Sequence, residues 1–130
     1  MRGPCAGVES YLSKRATVDR PISPAEVTVI QVMLERAAVS PEYSRLNTNL
    51  NTLRVVRLCE CGCESVDFTT WDTQSPRTQI ADGTGETPSG NPVGVIIWGS
   101  ADSVTGIEVY AHGGTEDDLR LPTTVSIRPW

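Results

Sequence analysis

Three thiols within five residues, Cys59-Glu60-Cys61-Gly62-Cys63, form the densest set of reactive side chains in the chain. Thiolates and imidazoles bind soft and borderline metals, so Cys59, Cys61 and Cys63, joined by the single histidine His112, are candidates for a metal site or for thiol redox chemistry. The spacing fits a plainer role better. Structural zinc sites usually take four ligands from two separated pairs, and here there is one cluster with only Cys5 far upstream. Alternate residues of an extended segment share a face, so the three thiols suit a hairpin end where small side chains pack and Gly62 takes a positive φ. A bridge between cysteines two apart strains disulfide geometry, and an intracellular setting disfavours disulfides altogether. Arg57 would favour a thiolate while Glu60 and Glu64 oppose one, so no activated thiol is expected.

Other segments offer weaker chemistry. Asp82-Gly83-Thr84-Gly85-Glu86 has the glycines of a phosphate loop, but it lacks the loop's lysine, no helix follows it, and Lys14 is the only lysine in the chain. It reads as a flexible linker. His112 lies near Glu116, Asp117 and Asp118, yet no serine sits in a strained elbow that would make a nucleophilic triad. With neither a catalytic constellation nor a cofactor loop, no enzyme activity and no cofactor are expected. Trp71, Trp98, Glu108 and Tyr110 fall at outward positions of expected strands, and aromatic residues there point to a contact patch for another protein. The competing reading is that each aromatic covers an edge of the core. Arg45, Arg54 and Arg57 could meet an acidic surface, or keep an outer strand soluble.

The 130 residues carry 11 basic and 16 acidic side chains, a net charge of -5, which disfavours a protein that must neutralise nucleic-acid phosphates. No apolar run reaches the roughly 18 to 20 residues that span a bilayer, and Met1 to Arg20 lacks the layout of a secretory signal. A cytoplasmic protein is expected, monomeric or weakly homodimeric, with neither nucleic acid nor membrane as partner.

Residues 1–20 show no sustained period and read as a flexible arm, leaving 21–130 as one domain. Ser23-Pro24-Ala25-Glu26 combines an N-cap acceptor, proline at the first helical position and a glutamate that closes a capping box. Ile22 and Val27 can staple that start, and Val27, Ile30, Leu34 and Ala37 mark one face of a helix running to about Ala38. Ser40-Pro41 repeats the start signal, and Tyr43, Leu46 and Leu50 suit a second, shorter helix. From Thr52 onward β-branched runs replace helical spacing: 52–58 and 65–71 as a hairpin, 92–98 as a central strand, 104–110 as its antiparallel neighbour, and a short strand at 124–127. In 104–110, Ile107 and Val109 face the core while Glu108 and Tyr110 face out. The polar stretch 72–91 is expected to be a long mobile loop.

The predicted fold is therefore α+β, with two N-terminal helices packed on one face of a four- or five-stranded antiparallel sheet. Cys61-Gly62-Cys63-Glu64-Ser65, Pro92 to Trp98 and Gly106-Ile107-Glu108-Val109-Tyr110 resemble a group of small uncharacterised bacterial proteins that share a CGC-x-S/T turn and strand and a closing G-I/L-E-V-Y strand. The resemblance covers roughly the last 80 residues. It implies no activity; it implies an immunity-like or accessory role, in keeping with a noncatalytic protein-binding module.

Overall fold

The computed structural model describes residues 15–37, 41–59, 62–69, 77–100 and 102–129. The first 14 residues of the expected arm, together with Cys61 and Trp71, lie outside them. Strand β1 (Arg15–Pro21) comes first, where the last part of the arm was expected, and helix α1 (Pro24–Arg36) follows. Its start is the expected capping box: Glu26 N donates to Ser23 Oγ at 3.1 Å and Ser23 N donates to Glu26 Oε1 at 2.8 Å. Glu26 is only 4% exposed, and Arg20 completes its bonding with contacts of 3.1 and 2.7 Å, tying β1 to the helix. Val27, Val29, Ile30, Met33 and Leu34 are buried.

The remaining strands are β2 (Arg54–Cys59), β3 (Val66–Phe68), β4 (Thr78–Glu86), β5 (Pro92–Gly99), β6 (Val104–Ala111) and β7 (Arg128–Pro129). With β1 they form, among the described residues, one seven-stranded sheet in the order β1-β2-β3-β6-β5-β4-β7, and every pairing is antiparallel. This corrects the expectation of two helices on four or five strands: among the described residues strand outweighs helix, and α1 is the one substantial helix. The second helix signal yields a single turn at Pro41–Ser44 and then 3-10 turns at Arg45–Asn47 and Leu50–Thr52. Thr48 and Asn49 do not sustain it, and Asn49 takes a left-handed φ of 60°. Tyr43, Leu46 and Leu50 still pack on the core. Thr124–Ser126 is another 3-10 turn where a strand was expected, with the pairing delayed to β7.

The largest correction is the stretch 72–91, most of which is β4 and its hairpin turn to β5. Ile80, Ala81, Gly83 and Gly85 face inward and are buried, whereas Asp82 and Thr84 alternate outward. The inward alternation is masked in the sequence because two of its members are glycines. A side chain at Gly83 would meet Arg128 O at 2.8 Å and Pro129 Cα at 2.9 Å, and one at Gly85 would meet Pro122 Cβ at 2.6 Å. These glycines admit close approach by β7 and the C-terminal segment. The turn Thr87–Asn91 closes through Gly90 N to Thr87 O at 2.8 Å and Thr87 N to Asn91 O at 2.9 Å.

The core lies between α1 with its following turns and one face of the sheet. Val55, Val66, Val93, Val95, Ile97, Ile107 and Val109 contribute to it and are almost wholly buried. No helix among the described residues is long and apolar enough to cross a membrane.

Candidate functional site

Cross-strand partners share a face, so the register fixes what the opposite side of the sheet presents. On β5 and β6 the pairs there are Trp98 with Gly106, Ile96 with Glu108 and Gly94 with Tyr110. Strand β4 extends the rows by setting Gln79 opposite Trp98, Asp82 opposite Ile96 and Thr84 opposite Gly94. On the other flank β3 places Asp67 opposite Gly106, and β2 places Arg57 opposite Asp67.

Trp98 and Tyr110 are each paired with a glycine, and each glycine makes room for a large neighbour. A Cβ at Gly94 would overlap Cζ, Cε1 and Cε2 of Tyr110, so the ring lies flat across the β5 backbone. Its hydroxyl reaches Asp82 Oδ1 on β4 at 3.4 Å, and His112 stands edge-on to it with ring centroids 6.5 Å apart. A Cβ at Gly106 would meet Arg77 Nη1 at 2.9 Å and Asp67 Oδ1 at 3.1 Å. Arg77 uses that space twice: Nη1 donates to Asp67 Oδ1 at 3.3 Å, and its guanidinium carbon lies 4.6 Å from the centroid of Trp98. Trp98 Nε1 donates to Glu108 Oε1 at 2.9 Å.

Glu108 is consequently buried, at 6% exposure, although its position in the alternation predicted an exposed side chain. The correction has a simple cause. On the face away from α1 Glu108 accepts from Trp98 and Asp67 from Arg77, so facing away from the core does not mean facing water. Trp98 and Tyr110 remain half-buried, and the three expected contact residues Trp98, Glu108 and Tyr110 do come together in the structure. Sequence reasoning missed Asp67, Arg77 and Asp82. Single glycines inside otherwise regular strands, Gly94 and Gly106, were the available signal of a close approach.

Cys59 and Cys63 are buried and line one cleft of about 280 Å³ with Arg20, Glu26, Gly62 and Glu64. The turn between them closes by Gly62 N to Cys59 O at 3.3 Å, and Gly62 takes the expected positive φ, 93°. Cys63 Sγ donates to Ser65 Oγ at 3.3 Å, and that hydroxyl is in turn bonded to the backbone of Val109. His112 lines a different cleft, of about 330 Å³, with Glu86, Ser126 and Arg128. Among the described residues no group of three or more His, Cys, Asp and Glu is placed to hold a metal ion.

A third polar cluster fastens the β4–β5 turn to the loop after β6. Asp118 accepts from Arg120 Nε at 2.7 Å and from the hydroxyls of Ser89 and Thr87 at 2.6 Å each. The Arg120 hydrogen bond, followed by those from Ser89 and Thr87, holds its carboxyl well below the usual carboxylate range. Asn91 Nδ2 adds bonds to Asp118 O at 2.7 Å and Thr115 O at 3.0 Å. Every member is engaged within the chain, which makes this a clamp.

No family model, no curated protein and no solved structure matches the chain.

Proposed function

We propose that the protein is a noncatalytic protein-binding module, of the immunity-like or accessory kind, whose contact surface is the sheet face carrying Trp98, Glu108 and Tyr110. The observation that carries the reading is that both half-buried aromatics are held in place before any partner arrives. Trp98 is fixed by Glu108 and by Arg77, and Tyr110 by Gly94 beneath it and Asp82 beside it. Rigid aromatic side chains offer large contact area at small entropic cost, and pre-organisation of this kind favours binding. The polar neighbours Gln79, Asp82 and Thr84 form the rim that such a patch needs.

Site-specific photo-crosslinking in the native cell tests the reading. A photoreactive residue at Thr84, beside Tyr110, should trap one discrete partner, and the adduct should vanish in Trp98→Ala. The same group at Thr28, on the exposed side of α1, should trap none. Equal, diffuse labelling from both positions would overturn the proposal.

A further inference from the structure

We infer that the cleft of about 330 Å³ between β7 and the end of β6 binds a free α-amino acid as its zwitterion, the carboxylate meeting Arg128 and the ammonium meeting Glu86. Thr84 stands opposite Arg128 in the β4–β7 pairing, so both side chains lie on the face away from α1, and Glu86 follows two residues on from Thr84 along the same face. Pro92 on β5 stands opposite Glu86, and His112, just past β6, is a further wall of the cleft. Both charged residues have fixed bases. Glu86 N donates to Ser126 Oγ at 2.9 Å and Thr123 N donates to Glu86 O at 2.8 Å, while the ladder with β4 holds Arg128. Arg128 and Glu86 are diagonal neighbours, a relation that separates side-chain bases by roughly 7–8 Å. Among the described residues they form no ion pair with each other or with any other group, and neither the guanidinium nor the Glu86 carboxylate takes part in a hydrogen bond. The Thr84 hydroxyl beside them is equally unengaged there.

Opposite charges that line one cleft without pairing select against singly charged molecules. An anion drawn to Arg128 is repelled by Glu86, and a cation drawn to Glu86 is repelled by Arg128. A molecule that carries both charges meets neither penalty. An α-amino acid holds its carboxylate and ammonium on one carbon, and the forked carboxylate suits a guanidinium, which can donate two parallel bonds to it. The Thr84 hydroxyl supplies one more donor to the same carboxylate. The volume lies at the small end of the roughly 300–1,000 Å³ of ligand clefts, which suits a ligand of this size. The Pro92 ring gives the amino-acid side chain an apolar wall, and an uncharged side chain keeps the charges of ligand and cleft balanced.

The test uses the whole protein, ¹⁵N-labelled and titrated one at a time with the L-amino acids that have uncharged side chains, then with N-acetyl and methyl ester derivatives of those that bind. At least one amino acid should shift the amides of Thr84, Glu86 and Arg128 in a saturable way. Its N-acetyl derivative, which lacks the ammonium, and its methyl ester, which lacks the carboxylate, should each bind about fivefold or more weakly, as loss of a charge-assisted contact implies. Arg128→Gln and Glu86→Gln should each weaken the intact amino acid by a similar factor, and because both positions are exposed the remaining spectrum should stay as in the parent. A saturable response to none of the amino acids, an N-acetyl derivative that binds as well as its parent, or an unaltered response in both variants would each overturn the inference. No partner protein enters the titration, so its outcome is independent of the crosslink from Thr84.

Discussion

Trp98 and Glu108 meet diagonally across the β5–β6 ladder, the indole N–H donating to the carboxylate at 2.9 Å on the side of the sheet away from α1. A carboxylate at 6% exposure that accepts an indole proton is part of the fold's second packed layer. Glu108→Ala strands that N–H and should cost about 1–3 kcal/mol, whereas Glu108→Gln keeps an acceptor and should cost less. Ile107→Ala, on the core side of the same strand, should cost about 2–5 kcal/mol. Urea titrations of the three variants decide the order. A Glu108→Ala loss within about 0.5 kcal/mol, the range of an ordinary surface change, would show that the bond carries nothing.

What was legible in the sequence follows from how much of each signal was local. The start of α1 is a local code, and Ser23, Pro24 and Glu26 behave as it says. The β5–β6 pair was legible from its apolar run and short connection, which closes by Ser100 N to Ser103 O at 2.9 Å. β4 was not, because the residues that reveal a strand by their bulk are replaced at Gly83 and Gly85 by an approaching backbone distant in sequence. The site divides in the same way. Alternation placed Glu108 and Tyr110 together on the face opposite Ile107, but the burial of Glu108 depends on Trp98 and its neighbours on other strands. No period within β6 contains that information.

The contact between Gly94 and Tyr110 makes a test whose sign depends on background. Gly94→Ala drives a methyl group into the Tyr110 ring and should cost about 1–3 kcal/mol, as overpacking does. In a Tyr110→Ala protein the obstacle is gone. There the same change should be neutral or favourable, because alanine loses less backbone entropy than glycine in a strand, by roughly 0.5–1 kcal/mol. A double-mutant cycle read by thermal unfolding measures the coupling, and additive effects would show that the ring does not lie on Gly94.

Asp118 gives the fold a dependence on acid. Its carboxyl titrates below the usual carboxylate range in the folded chain, owing first to Arg120 and then to Ser89 and Thr87. A depressed folded-state pKa means that the unfolded chain binds the proton more readily. The stabilisation is therefore complete above the unfolded value, about 3.9, and is lost as pH falls toward the folded one. Asp118→Asn should be less stable than the parent at neutral pH and should approach it as the solution is acidified below about pH 4. Urea midpoints of both proteins between about pH 2 and 6 provide the comparison, and parallel curves would exclude the linkage.

Two buried hydroxyls should respond in opposite directions to removal. Ser65, 1% exposed, accepts from Val109 N at 2.8 Å and from Cys63 Sγ at 3.3 Å, and donates to Val109 O at 3.3 Å. All the bonding capacity of that hydroxyl is used, and it joins the cysteine turn to β6. Ser65→Ala leaves buried backbone groups short of a partner and should cost about 1–3 kcal/mol. Thr105, 2% exposed, has no hydrogen-bond partner for Oγ1 among the described residues. Thr105→Val exchanges that hydroxyl for a methyl group of similar shape, in a residue that favours strands, and should leave stability unchanged or raise it by about 1 kcal/mol. Chemical denaturation of the two variants beside the parent checks both signs. A loss from Thr105→Val as large as that from Ser65→Ala would mean that the threonine hydroxyl has found a partner, a bound water being the simplest.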